Sequence, residues 1–202
     1  MNKMIIFDMD GVLVDACDWH RIALNKALKE ICNYEISLED HYSVFNGLPT
    51  KVKLSKLAES GLIENSKIKE IYEKKQEITI NTINKEATLR NEKINMIETL
   101  KDEGFYVTCF TNSIRKTAEL MLEKIGVLSL LDCLLTNQDV KCSKPDPEGY
   151  LFLINKFKVD KQNAIIVEDS PKGLKAAFAS GCNVIAVKNP DEVDIKIFKE
   201  YL

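Results

Sequence analysis

Met4-Ile5-Ile6-Phe7-Asp8-Met9-Asp10-Gly11 is a short apolar run that ends in two aspartates, one residue apart, and a glycine. A continuous apolar run of this kind suits a strand of a parallel sheet, buried on both faces. Ligands of open α/β sheets bind beyond the carboxyl ends of the strands, where Asp8 and Asp10 would project. Residues i and i+2 of a strand share a face, so both carboxylates can meet at one point. Carboxylates that close repel unless a cation sits between them or one is protonated. Mg²⁺ is the natural partner, because it takes one or two carboxylates, keeps waters and binds phosphate oxygens. Asp-x-Asp-Gly is also a common turn sequence, so the remainder of the chain has to decide.

The bulk properties narrow the class. A chain of 202 residues fits one domain, or one domain carrying an insertion, and can bury a sizeable core. The net charge of −3 and the short blocks of like charge give no nucleic-acid footprint. Cys17, Cys32, Cys109, Cys133, Cys142 and Cys182 include no Cys-x-x-Cys pair, so they read as reduced thiols, not as a zinc site or a disulfide framework. The N-terminus enters a strand directly, without a signal peptide, and no apolar stretch approaches a membrane span. The expectation is a cytoplasmic protein with no membrane or nucleic-acid partner. Oligomeric state is not legible.

Further apolar runs follow at Tyr106–Phe110, Cys133–Leu135, Ala164–Val167 and Val184–Val187. They alternate with helical patterns at Glu92–Glu103, Ile114–Ile125, Pro147–Phe157, Lys172–Ser180 and Glu192–Tyr201. Such alternation predicts an α/β fold, a Rossmann-like three-layer core with a parallel sheet and helices on both faces. Gly104, Gly126 and Gly181 stand where helices should end. One interval breaks the rhythm: between Phe7 and Tyr106 no strand is legible, far beyond a normal crossover. Residues 16–86 read as almost wholly helical. The apolar stripes are Ile22, Leu24, Ala27, Leu28 and Ile31, then Val52, Leu54, Leu57 and Ala58, then Ile68, Ile71, Tyr72 and Ile78. Lys67–Glu77 reads as a solvated face laced with ion pairs. The expected organisation is a core of residues 1–15 and 87–202 interrupted by a helical cap domain, residues 16–86, serving as a lid.

Other strand ends bring chemistry to the same edge. The second strand ends in Thr111-Asn112-Ser113 before a helix. Two hydroxyls and free helix N–H groups can cradle an anion there, although Thr111 or Ser113 could equally cap the helix. Lys144 precedes Pro145-Asp146-Pro147 and lies in the loop before the next helix, where a lysine neutralises phosphate. The fourth strand ends in Glu168-Asp169-Ser170. Two more carboxylates would complete a Mg²⁺ shell with Asp8, while Asp169 or Ser170 could also be a helix cap with Pro171 at the first helical position.

These four segments, Asp8-Met9-Asp10-Gly11-Val12, Thr111-Asn112-Ser113, Lys144-Pro145 and Glu168-Asp169-Ser170, resemble the haloacid dehalogenase superfamily of phosphotransferases over nearly the whole chain. The helical insertion resembles the cap of its β-phosphoglucomutase-like and phosphoglycolate-phosphatase-like branch, with Asn46-Gly47-Leu48-Pro49 similar to the substrate-facing cap loop. The resemblance implies that Asp8 is the nucleophile that becomes an aspartyl-phosphate and that Asp10 is the general acid/base. It makes Thr111 and Lys144 the phosphate ligands. Mg²⁺ would be held by Asp8, Asp169 and the backbone carbonyl of Asp10, with Glu168 contributing directly or through water. Asn112, Ser113, Arg115, His20, Asn46, Gly47 and Lys51 are candidates for substrate contact. Asp10 also argues for phosphoesters, since true dehalogenases and phosphonate-cleaving members lack that aspartate.

The expected activity is Mg²⁺-dependent hydrolysis of a small phosphorylated metabolite, with a sugar phosphate favoured. A β-phosphoglucomutase-type mutase is the alternative. The segment Asp15 to Arg21 resembles that family's hinge, where a histidine in the place of His20 holds the acid/base residue. Against it, Asn46 and Thr50 stand where mutases carry basic residues. A catalytically inactive binding protein on the same fold is a third reading, and the intact set Asp8, Asp10, Thr111, Lys144 and Asp169 speaks against it.

Overall fold

The computed structural model describes residues 2–202. In chain order its principal elements are β1 (Lys3–Phe7), α1 (Cys17–Cys32), α2 (Leu38–Asp40), α3 (Thr50–Glu59), α4 (Ile68–Glu86), α5 (Asn91–Asp102), β2 (Phe105–Phe110), α6 (Arg115–Lys124), β3 (Cys133–Leu135), α7 (Glu148–Phe157), β4 (Ala164–Glu168), α8 (Pro171–Ser180) and β5 (Asn183–Ala186). They fall into two units: residues up to Asp15 together with Thr88–Leu202, and Ala16–Ala87.

The first unit is built on a five-stranded, all-parallel sheet in the order β3-β2-β1-β4-β5. β1 is central because Ile5, Ile6 and Phe7 are apolar on both faces and fully buried. Met4, Ile6, Ala164 and Ile166 pack against Tyr150, Leu153 and Ile154 of α7 and Ala176 and Ala177 of α8. Ile5 and Phe7 alternate to the opposite face, where Phe7 meets Phe198 edge-on at 5.9 Å. This is the α/β layering that the strand–helix alternation predicts. In register Phe7 lies beside Val167 and Cys109, so the carboxyl ends of β1, β2 and β4 finish level.

The C-terminal segment departs from expectation. Glu192–Tyr201 is not one helix but two short 3₁₀ turns, Pro190–Glu192 and Ile195–Phe198. Asn189 and Asp194 each accept from the backbone N–H two residues on, so the chain is capped and restarted twice within a few residues. Lys93, almost fully buried, donates to the carbonyls of Pro190 and Val193, both at 2.5 Å, and ties the segment to α5.

The second unit is helical. Leu24, Ala27 and Leu28 of α1, Leu54 and Leu57 of α3 and Ile71 of α4 form its core with Ile36, Phe45 and Ile63. Asn25 clamps the chain after α1, donating to the Ile36 carbonyl at 2.9 Å and accepting from its N–H at 3.0 Å. A one-turn π-helix, His41–Phe45, follows α2. Three expectations fail here. Ile22 and Val52 are each 39 % exposed, because each lies two residues, more than half a turn, from a core leucine (Leu24 and Leu54). Within the stretch read as solvated, Lys67–Glu70, Lys69–Glu73 and Lys74–Glu77 do pair on the surface, but Lys75 is 4 % exposed. Among the described residues no helix is long and apolar enough to cross a membrane. All six cysteines are free thiols.

Candidate active site

β1 runs directly into the loop that carries the two aspartates. The Asp8 N–H donates to the Val167 carbonyl at 2.9 Å, extending the pairing with β4 by one residue. The chain then folds over Met9, whose carbonyl accepts from Leu13 and Val14, while the Gly11 N–H donates to Val14 at 2.7 Å. Gly11 has φ +89°, and a Cβ there would lie 2.1 Å from Asp169 Oδ2. Only glycine permits both the conformation and so close an approach of the two loops.

The carboxyl ends of the strands converge around Lys144. Its ammonium donates to Asp8 Oδ1 at 2.7 Å and to Glu168 Oε1 at 2.5 Å, and all three side chains are buried. The same nitrogen lies 4.8 Å from the Phe110 ring centroid and 5.3 Å from that of Tyr150, so aromatic faces wall the cation. Asn112 fixes the backbone of Lys144 from both sides. Its Nδ2 donates to the Lys144 carbonyl at 3.0 Å and its Oδ1 accepts from the Lys144 N–H at 3.1 Å. Glu168 Oε1 also accepts from the Tyr150 hydroxyl at 2.8 Å. Its Oε2 accepts from the Asp169 N–H at 3.1 Å and, at 3.4 Å, from the N–H and hydroxyl of Ser170.

Asp10 is engaged separately. Its Oδ2 accepts from the Ser113 hydroxyl at 2.9 Å and from Thr111 Oγ1 at 3.5 Å, the outer limit of a hydrogen bond. Thr111 Oγ1 in turn accepts from the Ser113 N–H at 3.0 Å. Neither hydroxyl caps α6, whose first N–H, on Arg115, is taken by Gln138 Oε1 at 2.8 Å. Ser170 does cap α8, accepting from Gly173 at 3.1 Å with Pro171 in the first turn, as the sequence allows.

Acid is in excess at this edge. Burial pushes the Asp8 carboxyl well up from the ordinary carboxylate range, and the neighbouring Glu168 adds to it, while Lys144 opposes. Asp169 is pushed up to about 7 by burial and then by Glu168 and Asp10. Burial alone would lower the Lys144 ammonium, but Asp8 and Glu168 together carry it well above the usual lysine range. Carboxylate oxygens of Asp8, Glu168 and Asp169 lie within 4.8 Å of one another, and Asp169 Oδ1 is buried with no hydrogen-bond partner. A crowded acid set with an orphaned buried oxygen fits a small hard cation.

Arg115 is committed to Asp139 at 2.6 Å and Glu119 at 3.1 Å. In the helical unit, His20 Nδ1 lies 3.0 Å from Lys75 Nζ. Asn46 ends the π-helix, Gly47 follows at φ +72°, and Lys51 Nζ lies 5.6 Å from the Tyr72 ring centroid. Sequence reasoning missed Tyr150, which reads only as a core position of α7. It also missed that Asn112 is spent on Lys144.

A family model described as haloacid dehalogenase-like hydrolase matches residues 5–187. The chain is 25 % identical over 191 residues to a phosphoglycolate phosphatase of Haemophilus influenzae, covering 92 % of this chain and 85 % of that protein. It is 26 % identical over 183 residues to a phosphorylated carbohydrates phosphatase of Thermotoga maritima, covering 89 % and 82 %. The fold matches the crystal structure of a β-phosphoglucomutase from Clostridium difficile with a TM-score of 0.84 at 20 % identity, over 99 % of this chain and 96 % of that one.

Proposed function

This chain belongs to the haloacid dehalogenase-like hydrolases, and from that premise we propose that it is a Mg²⁺-dependent phosphatase of a small phosphorylated metabolite, a sugar phosphate in first place. The observation that carries this reading is the buried Asp8 carboxylate at the end of β1, with Oδ1 on Lys144 and the unpartnered Asp169 Oδ1 nearby. The sugar-phosphate preference is supported by a relative named for phosphorylated carbohydrates.

Asp8 is the nucleophile, attacking phosphorus to give an aspartyl-phosphate. Asp10 protonates the leaving oxygen and then takes a proton from the attacking water. Ser113 holds the Asp10 carboxylate through Oδ2, which fixes its direction. Lys144 neutralises negative charge between Asp8 and the incoming phosphoryl oxygens, and Thr111 offers them a hydroxyl. Asp8, Asp169 and the Asp10 carbonyl would hold Mg²⁺, with Glu168 in the same acidic set. When bound, the ion lets an anionic carboxylate approach an anionic phosphate. The helical unit, through His20, Asn46, Gly47 and Lys51, selects the leaving group, and the protein works without a nucleic-acid or membrane partner.

Phosphate release from a panel of hexose and heptose phosphates, phosphoglycolate, nucleotides and pyrophosphate, with Mg²⁺ and with EDTA, tests this. The expected result is release from a sugar phosphate that EDTA abolishes. Release that survives EDTA, or none from any compound, overturns it. A phosphosugar mutase is the second reading, on the likeness of the segment Asp15 to Arg21, with His20, to the mutase hinge. Little hydrolysis, with conversion of a hexose 1-phosphate primed by a bisphosphate, would establish it.

A further inference from the structure

Tyr150 occupies the first turn of α7, six residues beyond Lys144, and belongs to none of the motif positions. It is fully buried, its ring stacked edge-on with Phe110 at 5.1 Å. A tyrosine with no exposure keeps its hydroxyl only where the hydroxyl has a partner. Here the partner is Glu168 Oε1, the same oxygen that receives Lys144. Counting donors, Glu168 accepts from Lys144 and Tyr150 on one oxygen and from Asp169 and Ser170 on the other. A carboxylate has about four lone-pair positions, and these five contacts leave none open. Two glycines make room for the arrangement. A Cβ on Gly173 would lie 2.0 Å from Glu168 Oε1, and one on Gly149 would lie 2.3 Å from the Phe110 ring.

We propose that Tyr150 is a positioning residue for phosphoryl transfer: its hydroxyl orients Glu168, and Glu168 serves as the anchor that holds Lys144 against Asp8 instead of ligating the metal ion. The ammonium is then supported on one side by Asp8, on the other by Glu168, and around its flanks by two aromatic rings. Without the Tyr150 hydroxyl, Oε1 loses one of two donors and turns toward Lys144 alone, drawing the cation off Asp8. This rests on the reading of Asp8 as the attacking carboxylate only for its effect on rate. The placement of Lys144 and the coordination of Glu168 are readable without turnover.

The test uses the intact protein with Tyr150→Phe, which removes one oxygen and keeps the ring, and Glu168→Gln. Three quantities are measured: the ¹⁵N-lysine ammonium resonance of Lys144, identified by its absence in Lys144→Arg; the Mg²⁺ dissociation constant by calorimetry; and kcat and KM on the best substrate. In Tyr150→Phe the Lys144 resonance should shift or broaden and kcat should fall about tenfold, the scale of one hydrogen bond to a charged group, with KM within about twofold. In both variants Mg²⁺ should bind within about threefold of wild type, since a lost ligand would weaken it by tenfold or more. An unmoved Lys144 resonance or an unchanged kcat in Tyr150→Phe overturns the proposal, as does Mg²⁺ bound about tenfold more weakly by Glu168→Gln. Should the wild type release no phosphate from any compound, the proposed function fails, and the resonance and the Mg²⁺ titration still decide the role of Tyr150.

Discussion

The two units bury charge of opposite sign. In the α/β unit, Asp8 and Glu168 are buried around the single ammonium of Lys144, with Asp169 half-buried beside them. The helical unit buries His41, Lys53 and Lys75 and, among the described residues, no carboxylate. A parallel sheet ends all its strands on one edge, and polar residues placed there converge whether or not their charges balance. A helical bundle has no such edge, so its buried polar groups are spread along its helices. Chemistry concentrates in the first unit and is dispersed in the second.

Four expected outcomes sharpen that contrast, and a fifth could break it. Asp8→Asn should lower turnover by about 10⁴-fold or more, the scale of losing a covalent nucleophile, with the thermal midpoint nearly unchanged, since the amide is close to isosteric. Phosphate-release assays beside calorimetry read both. Lys144→Met leaves Asp8 and Glu168 as buried carboxylates without their cation. Stranding buried charge costs about 3–5 kcal/mol, a fall in melting temperature on the order of 10 °C for a chain of this size.

Glycine substitutions separate the units further. Gly173→Ala drives a Cβ into Glu168 and should cost about 1–3 kcal/mol together with a fall in kcat. Gly61, in the helical unit, has φ +70° and open space around it, so Gly61→Ala should cost about 1 kcal/mol of conformational strain and leave kcat alone. Urea unfolding and steady-state kinetics distinguish the two.

The pH responses should run in opposite directions. Native Asp169, at about 7, holds a proton that an unfolded carboxylate has already released. The metal-free α/β unit therefore loses stability as pH rises from the ordinary carboxylate range to about 7. His41 is pushed down to about 4 by burial and then by Lys53 and Arg21. Its unfolded form takes a proton that the native form refuses, so the helical unit loses stability as pH falls from 6.5 toward 4. Trp19, the one tryptophan, lies in α1 and reports the helical unit by fluorescence, while amide exchange in β1 reports the other. Slopes of the same sign would break the comparison. Least of all, Lys69→Ala removes an exposed ion pair with Glu73 at 3.9 Å and should change stability by less than about 0.5 kcal/mol.

What the sequence disclosed follows the same division. Strands buried on both faces read as unbroken apolar runs, and polar residues at their ends stand out against them, so β1 to β5 and the Asp8, Thr111, Lys144 and Glu168 segments were legible. Tyr150 was not, because its ring suits the α7 core and its hydroxyl partner comes from β4. The pairing of Arg115 with Asp139 was not legible either, because the two lie far apart in sequence. Lys93 carried a signal that went unread: it stands on the stripe of Met96, Ile97 and Leu100, where a charged residue needs a buried partner. In the helical unit the helices were legible, but the burial of Lys75 and the exposure of Ile22 and Val52 depend on the phase at which the helices meet.

The strand order has a consequence for how the protein comes into being. β1 lies between β2 and β4, yet it leaves the ribosome long before either, with the helical unit made in between. Ile5, Ile6 and Phe7 must wait, unpaired and apolar, until Phe105–Phe110 has been synthesised, and one edge of β1 stays open until Ala164–Glu168 follows. Contacts so distant in sequence form slowly, and a naked apolar strand is what holdase chaperones and neighbouring nascent chains capture. Placing the strand that leads into Asp8 at the centre of the sheet thus makes a fully buried segment of the finished protein the vulnerable one during its synthesis.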